Sequence, residues 1–93
     1  MIKSFTCRRT RTLFDTNIAH RQFRPFARQA KRKLLMLDAA TDVIDLRSPL
    51  GNRLEKLSGD RAGQYSIRIN DQWRITFRWH NGDAHDVEIC DYH

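Results

Sequence analysis

Ninety-three residues, 40% of them hydrophobic and nine of them aromatic, suit one folded domain (residues 1–93) with a single modest core and leave no room for a second. That composition excludes a disordered chain, and apolar runs of only a few residues exclude a membrane span. The net charge of +6 is unevenly placed: residues 1–33 hold ten of the 17 Lys/Arg and one of the 11 acids, which points to a polyanionic partner, most often nucleic acid, with a plain solvated basic face as the alternative.

Met1–Phe5 leads into Arg8 and Arg9 without the apolar stretch of a secretory signal, so the expected compartment is the cytoplasm. Cys7 and Cys90 lie far apart and lack paired Cys/His spacing, so two buried or half-buried thiols are expected. In chain order, Ile2–Cys7 alternates weakly and predicts a short first strand. Residues 8–22 are mixed, with a short helix around Thr12-Leu13-Phe14 and a loop from Asn17 to His20. Pro25 suits a first helical turn. Phe26, Ala30, Leu34, Leu37, Thr41 and Ile44 then recur at helical spacing, which places at least one amphipathic helix within 25–46.

The charge order of that segment is odd. Arg28, Lys31, Arg32 and Lys33 lie toward its N-terminal end and Asp38, Asp42 and Asp45 toward its C-terminal end, against the helix dipole by about 0.3–1 kcal/mol per terminal charge. A functional need for the basic cluster is one explanation and drift on a tolerant surface another.

Arg47–Asn52 reads as a break. Tyr65, Ile67 and Ile69, then Trp73, Ile75, Phe77 and Trp79, then Val87 and Ile89 alternate with polar residues, and Asn81-Gly82 is a strong hairpin signal. Three successive strands thus form an antiparallel meander with one apolar face, covered by the helical region. The fold class is α+β, in the order β-α-β-β-β.

The polar face of the meander carries Arg68, Arg74 and Arg78. These guanidiniums could hold phosphates, or be the solvent side of a half-buried sheet, the reading alternation alone favours. Asp91-Tyr92-His93 follows the last strand directly with three hydrogen-bonding groups. Parity puts Tyr92 on the arginine face and Asp91 and His93 on the other, unless a bulge intervenes. A carboxylate beside the His93 imidazole favours its protonated form, which suits a proton donor, although a frayed terminal residue is the plainer reading. Ser58–Gly63 looks like a tight loop, and His20, His80 and His85 show no metal-ligand spacing.

Gly51-Asn52-Arg53-Leu54-Glu55-Lys56-Leu57-Ser58-Gly59-Asp60-Arg61, Tyr65–Ile75, Leu37–Thr41, Asn81-Gly82-Asp83-Ala84 and the terminal Asp91-Tyr92-His93, with Met1–Phe5, together resemble the HigB toxins of bacterial toxin–antitoxin systems, within the RelE-like superfamily and closest in look to its GraT-like chromosomal branch. The resemblance spans nearly the whole chain and is weakest over residues 8–30. It implies helices packed on a small antiparallel sheet. It also implies a ribosome-dependent endoribonuclease that cuts mRNA in the ribosomal A site without metal or cofactor, by attack of the ribose 2′-hydroxyl on the adjacent phosphate. Mapped here, Arg74 would stabilise charge on that phosphate, and Asp91, Tyr92 and His93 would position the nucleotide and move protons. Arg28, Lys31, Arg32, Lys33, Arg53, Lys56, Arg68 and Arg78 would grip RNA. The implied partners are the ribosome and a HigA-type helix-turn-helix antitoxin, with operator DNA bound only through the antitoxin.

This chain departs from the family pattern at Glu55 and Ser58, where some members carry histidine and lysine. A carboxylate repels RNA, so weaker cleavage is expected, with Arg53 or Lys56 as substitutes. A non-catalytic basic RNA- or DNA-binding module, and a weakened toxin that still binds its antitoxin, are the competing readings.

Overall fold

The computed structural model describes residues 1–91, and the roles expected of Tyr92 and His93 lie outside the described residues. Helix α1 spans Arg8–Thr16. Thr10 and Leu13, three residues apart, turn inward, and Asn17 ends the helix in the left-handed conformation (φ 64°), its N–H returning to the Leu13 carbonyl. A 3-10 turn over Arg24–Phe26, with Pro25 in its first turn, leads into α2, Ala27–Ala39. Ala30, Leu34 and Leu37 form the buried stripe of α2.

Helix α2 is shorter than the apolar spacing predicts. Ala40 is extended, and a separate 3-10 turn covers Val43–Arg47. The Asp42 side chain accepts from the Ile44 N–H and the Asp45 side chain from the N–H of Thr41 and of Asp42, a capping box that competes with helix continuation. Thr41 and Ile44 are exposed and do not continue the stripe. The same geometry removes most of the apparent conflict with the dipole. Asp42 and Asp45 sit at the start of their own turn, and Asp38 accepts the Ile2 N–H at 2.9 Å. The basic start of α2, with no acid in its first turn, remains.

Four strands follow: β1 Glu55–Lys56, β2 Tyr65–Arg68, β3 Trp73–His80 and β4 Asp83–Asp91, antiparallel in the order β1-β2-β3-β4. The meander is present as predicted, and β1 is an addition that its two residues could not announce. Asn81 and Gly82 take φ of 52° and 78°, the conformation that a two-residue hairpin demands. The first strand expected over Ile2–Cys7 reduces to two isolated parallel bridges, Ile2 to Ala84 and Phe5 to Val87. The cause is a bulge in β4 at Asp86 (φ 53°), opposite the Thr76–Arg78 stretch of β3, which breaks the ladder between those bridges. The bulge lets both Ala84 and Val87 face inward and sends Asp86 out. Beyond the N-terminal segment, Thr10 Oγ1 accepts the Ile89 N–H at 3.0 Å, so α1 continues the cover of the β4 edge.

The core joins Leu13, Phe26, Ala30, Leu34 and Leu37 to Ile67, Ile75, Phe77, Val87 and Ile89. Trp73, at the start of β3, packs on Phe23 and Phe26 with ring centroids 5.7 and 5.1 Å away. Leu37 has no exposure. Leu37→Ala is therefore expected to lower unfolding free energy by about 2–5 kcal/mol in urea titration, through lost burial and the cavity left behind.

Candidate active site

The helices cover the apolar face of the sheet, and the polar face is where Arg74 points. That face is less open than alternation suggests. Ser66 and Thr76, directly paired on β2 and β3, are essentially fully buried. The loop between β1 and β2 folds back over them. Gly59 and Gly63 take φ of 63° and 91°, and a Cβ at Gly63 would lie 2.8 Å from Arg78 Nη1. Arg61, between the two glycines, reaches down to donate to Gln64 Oε1 at 3.1 Å and Thr76 Oγ1 at 3.4 Å, with Glu88 at 3.9 Å. Glu55, Lys56, Leu57, Ser58, Asp60 and Arg61 line a cleft of about 340 Å³ beside this loop.

Arg74 is held from several sides. Its Nη1 donates to Ser66 Oγ at 3.3 Å, its Nη2 lies 3.6 Å from a Glu55 carboxylate oxygen, and only 11% of the side chain is exposed. Trp73 next to it is wedged between Phe23 and Phe26, so the start of β3 and the aim of Arg74 are fixed by packing. A guanidinium kept partly out of water, with its fork shared between Ser66 and Glu55, has the chemistry to hold a phosphate. Glu55 therefore has a role that sequence reasoning missed: its charge is set against Arg74 and not simply toward incoming RNA. Cys90 shares this face, with Sγ 3.9 Å from Thr76 Oγ1, and burial pushes its thiol pKa up. Both cysteines are free and half-buried, as expected.

Asp91 is the last described residue of β4. It pairs directly with Trp73, while Cys90 pairs with Arg74, so Asp91 extends from the face opposite Arg74. Gln72 Nε2 donates to Asp91 Oδ2 at 3.0 Å. The one bulge described in β4 lies at Asp86 and leaves the alternation from Glu88 to Asp91 unchanged, so it does not bring Asp91 to the Arg74 face.

The expected RNA-gripping residues divide. Arg28 and Arg32 are exposed on α2, Lys31 is tied by its ammonium to the Phe14 carbonyl and lies 4.9 Å over the Phe14 ring, and Lys33 is buried. Lys33 must be corrected: its ammonium donates to Asn52 Oδ1 inside the protein, and burial, then Arg32 and Arg68, lowers its pKa. It faces inward because its position on α2 points at the 3-10 turn Leu50–Asn52, whereas a count of charges shows only a run of cations. Arg53 and Lys56 are exposed near the cleft, Arg68 pairs with Asp71, and Arg78 lies 3.6 Å from Asp86. The helix cations and Arg74 thus belong to opposite sides of the sheet. Among the described residues, no three His, Cys, Asp or Glu side chains converge in a way that could hold a metal ion.

Residues 3–93 match the family model described as HigB-like toxin, a RelE-like toxin of type II toxin–antitoxin systems. The chain belongs to the HigB-like toxin family. It is 34% identical over 93 residues to Endoribonuclease HigB of Proteus vulgaris, covering all of both chains. It is 53% identical over 53 residues to Toxin HigB-1 of Vibrio cholerae, a match covering 57% of this chain and 56% of that one. A chain of the YoeB–YefM complex from Staphylococcus aureus shares its fold, with a TM-score of 0.60 over 100% of this chain and 98% of the other at 18% identity. The expected α+β, RelE-like architecture is therefore the observed one. A HigB-like toxin is one half of a type II toxin–antitoxin pair, so an antitoxin is its partner. Among the described residues no helix is long and apolar enough to cross a membrane.

Proposed function

We propose that this HigB-family toxin is an endoribonuclease that cuts mRNA on the ribosome in the cytoplasm and so arrests translation and growth. The observation that carries the reading is Arg74 on β3, mostly buried, bonded to Ser66 and set 3.6 Å from Glu55, a residue that lines the cleft beside the β1–β2 loop. In the reaction, a ribose 2′-oxygen attacks the adjacent phosphorus, its proton passing to a base. The P–O5′ bond breaks, the 5′-oxygen takes a proton, and a 2′,3′-cyclic phosphate remains. Arg74 stabilises the extra negative charge on the phosphoryl oxygens, Tyr92 and His93 supply the proton-transfer groups, and Asp91, on the opposite face with Gln72, acts by positioning and not at the phosphate. Arg53, Lys56, Arg68 and Arg78 hold RNA around the cleft, and Arg28 and Arg32 offer a second basic surface to ribosomal RNA. The antitoxin is of the HigA helix-turn-helix type, and operator DNA is met only through it.

Mapping mRNA 5′ ends after induction tests the reading: new ends within translated frames are expected, absent from untranslated copies of the same message. No growth defect on expression of the chain without antitoxin would sink it. The second reading, a weakened toxin that still binds its antitoxin, draws on Glu55 and Ser58 at the cleft in place of basic residues. Glu55 competes with phosphate for Arg74. Glu55→Gln is accordingly expected to speed single-turnover cleavage up to about fivefold, the scale of the ~1 kcal/mol carried by a half-exposed ion pair. A rate that falls would show instead that the carboxylate serves the chemistry.

A further inference from the structure

Four arginines stand along the polar face, each beside an acid: Arg68 pairs with its near neighbour Asp71, and the other three form a row. Arg74 faces Glu55 at 3.6 Å, Arg61 faces Glu88 at 3.9 Å and Arg78 faces Asp86 at 3.6 Å. These separations exceed those of charge-assisted hydrogen bonds, and the second and third pairs are well exposed on both partners. Such pairs are worth little, about 0–1 kcal/mol each, so a better anion displaces the carboxylate at small cost.

Arg61 is anchored on Thr76, which lies between Arg74 and Arg78 on the same face of β3. Two strand residues rise about 6.6 Å, a step on the scale of one nucleotide in an extended single strand. The fold also invests backbone in this placement. The left-handed Asp86 at the bulge brings its carboxylate to Arg78, and Gly63, at a φ of 91° that favours glycine, brings the loop against the Arg78 guanidinium. Arg61 itself is oriented by Gln64 and Thr76.

We propose that Arg74, Arg61 and Arg78 bind three successive phosphates of single-stranded RNA, and that Glu55, Glu88 and Asp86 hold the guanidiniums in place until those phosphates displace them. In the free protein the row is locally neutral, which keeps it from gripping polyanions at random. A strand with phosphates at the right spacing replaces all three acids together. The inference rests on the reading that this face acts on RNA, and it adds Arg61 as the central anchor.

The test is binding of a 2′-O-methylated single-stranded hexanucleotide, which cannot be cleaved, to the whole protein by fluorescence anisotropy across a salt series. Arg61→Gln should flatten the slope of log affinity against log salt by about 0.7, the loss of one phosphate contact on a single strand. Arg61→Lys, which keeps the charge, should restore the slope, and Glu88→Gln should tighten binding at every salt concentration. Arg11→Gln, on the outer face of α1 and paired with Asp15, should leave the slope unchanged. An unchanged slope for Arg61→Gln, no recovery in Arg61→Lys, no tightening in Glu88→Gln, or an equal loss in Arg11→Gln would each overturn the proposal. Cleavage of ribosome-bound message is measured separately. If the oligonucleotide binds as described but no message is cut, the cleavage reading falls and the phosphate row stands.

Discussion

Arg74→Ala should abolish growth arrest and slow single-turnover cleavage of ribosome-bound mRNA by about a hundred- to a thousandfold, the usual cost of removing one donor aimed at transition-state charge. The loss should come from chemistry and not from unfolding. Arg74 lies on the polar face of β3, and the core on the other face is built by Ile75, Phe77 and Ile67, which the substitution leaves in place. The check is therefore paired: a cleavage assay beside a thermal melt, with the melting temperature moving by only a few degrees. Arg74→Lys should rescue little. Ser66 Oγ and Glu55 meet two different nitrogens of one planar fork, a geometry an ammonium cannot reproduce. Wild-type cleavage by Arg74→Ala would remove the residue on which the functional reading rests.

Asn52→Ala should be the most damaging polar substitution in the fold, lowering unfolding free energy by about 3 kcal/mol. Asn52 has no exposure, and its side chain ties three segments together. It donates to the Leu46 carbonyl at 3.2 Å and the Ser48 carbonyl at 3.3 Å, and accepts from the Lys33 ammonium. Truncation strands two carbonyls and a buried cation at once. Urea denaturation measures the loss directly, and a change below about 1 kcal/mol would contradict the account, since each stranded group alone is expected to cost that much.

Lys33 adds a pH signature. Burial holds its folded pKa below the ordinary 10.5, so between the two values the unfolded chain binds more protons and stability rises with pH. Below that window the cost of keeping the ammonium charged is constant. As pH climbs toward 10.5 the cost is relieved, and unfolding free energy gains an increment that Lys33→Met should erase. Identical slopes in the two proteins across the alkaline range would show that Lys33 does not titrate with folding.

Much of this molecule was legible in the linear pattern. Period-two alternation from Tyr65 to Ile89 gave the meander, Asn81-Gly82 gave the hairpin, and Phe26, Ala30, Leu34 and Leu37 gave the buried stripe of α2, because these signals depend only on neighbours a few residues away. The face of Arg74 was legible for the same reason, since its place between Trp73 and Ile75 sets it. Other features depend on which distant segments meet. The helix stops at Ala39 because Asp42 and Asp45 can cap a new turn, and the apolar spacing of Thr41 and Ile44 conceals this. Ile2–Cys7 fails to become a strand because a bulge 80 residues away interrupts its partner.

The charges divide along the same line. Sequence alone determined how many cations the chain carries and that most lie near its start, which is enough to point at a polyanion. Tertiary structure decided which of them are available to one. Lys33 turns inward to Asn52, Lys31 lies across Phe14, and Arg61, unremarkable between two glycines, reaches the centre of the polar face beside Thr76. The physical reason is that electrostatic roles depend on distance and burial, and both are set by contacts between residues far apart in the chain. Glu55 shows it most directly. As a letter it is an acid where RNA should bind; in the fold it stands 3.6 Å from Arg74 and partners a mostly buried guanidinium.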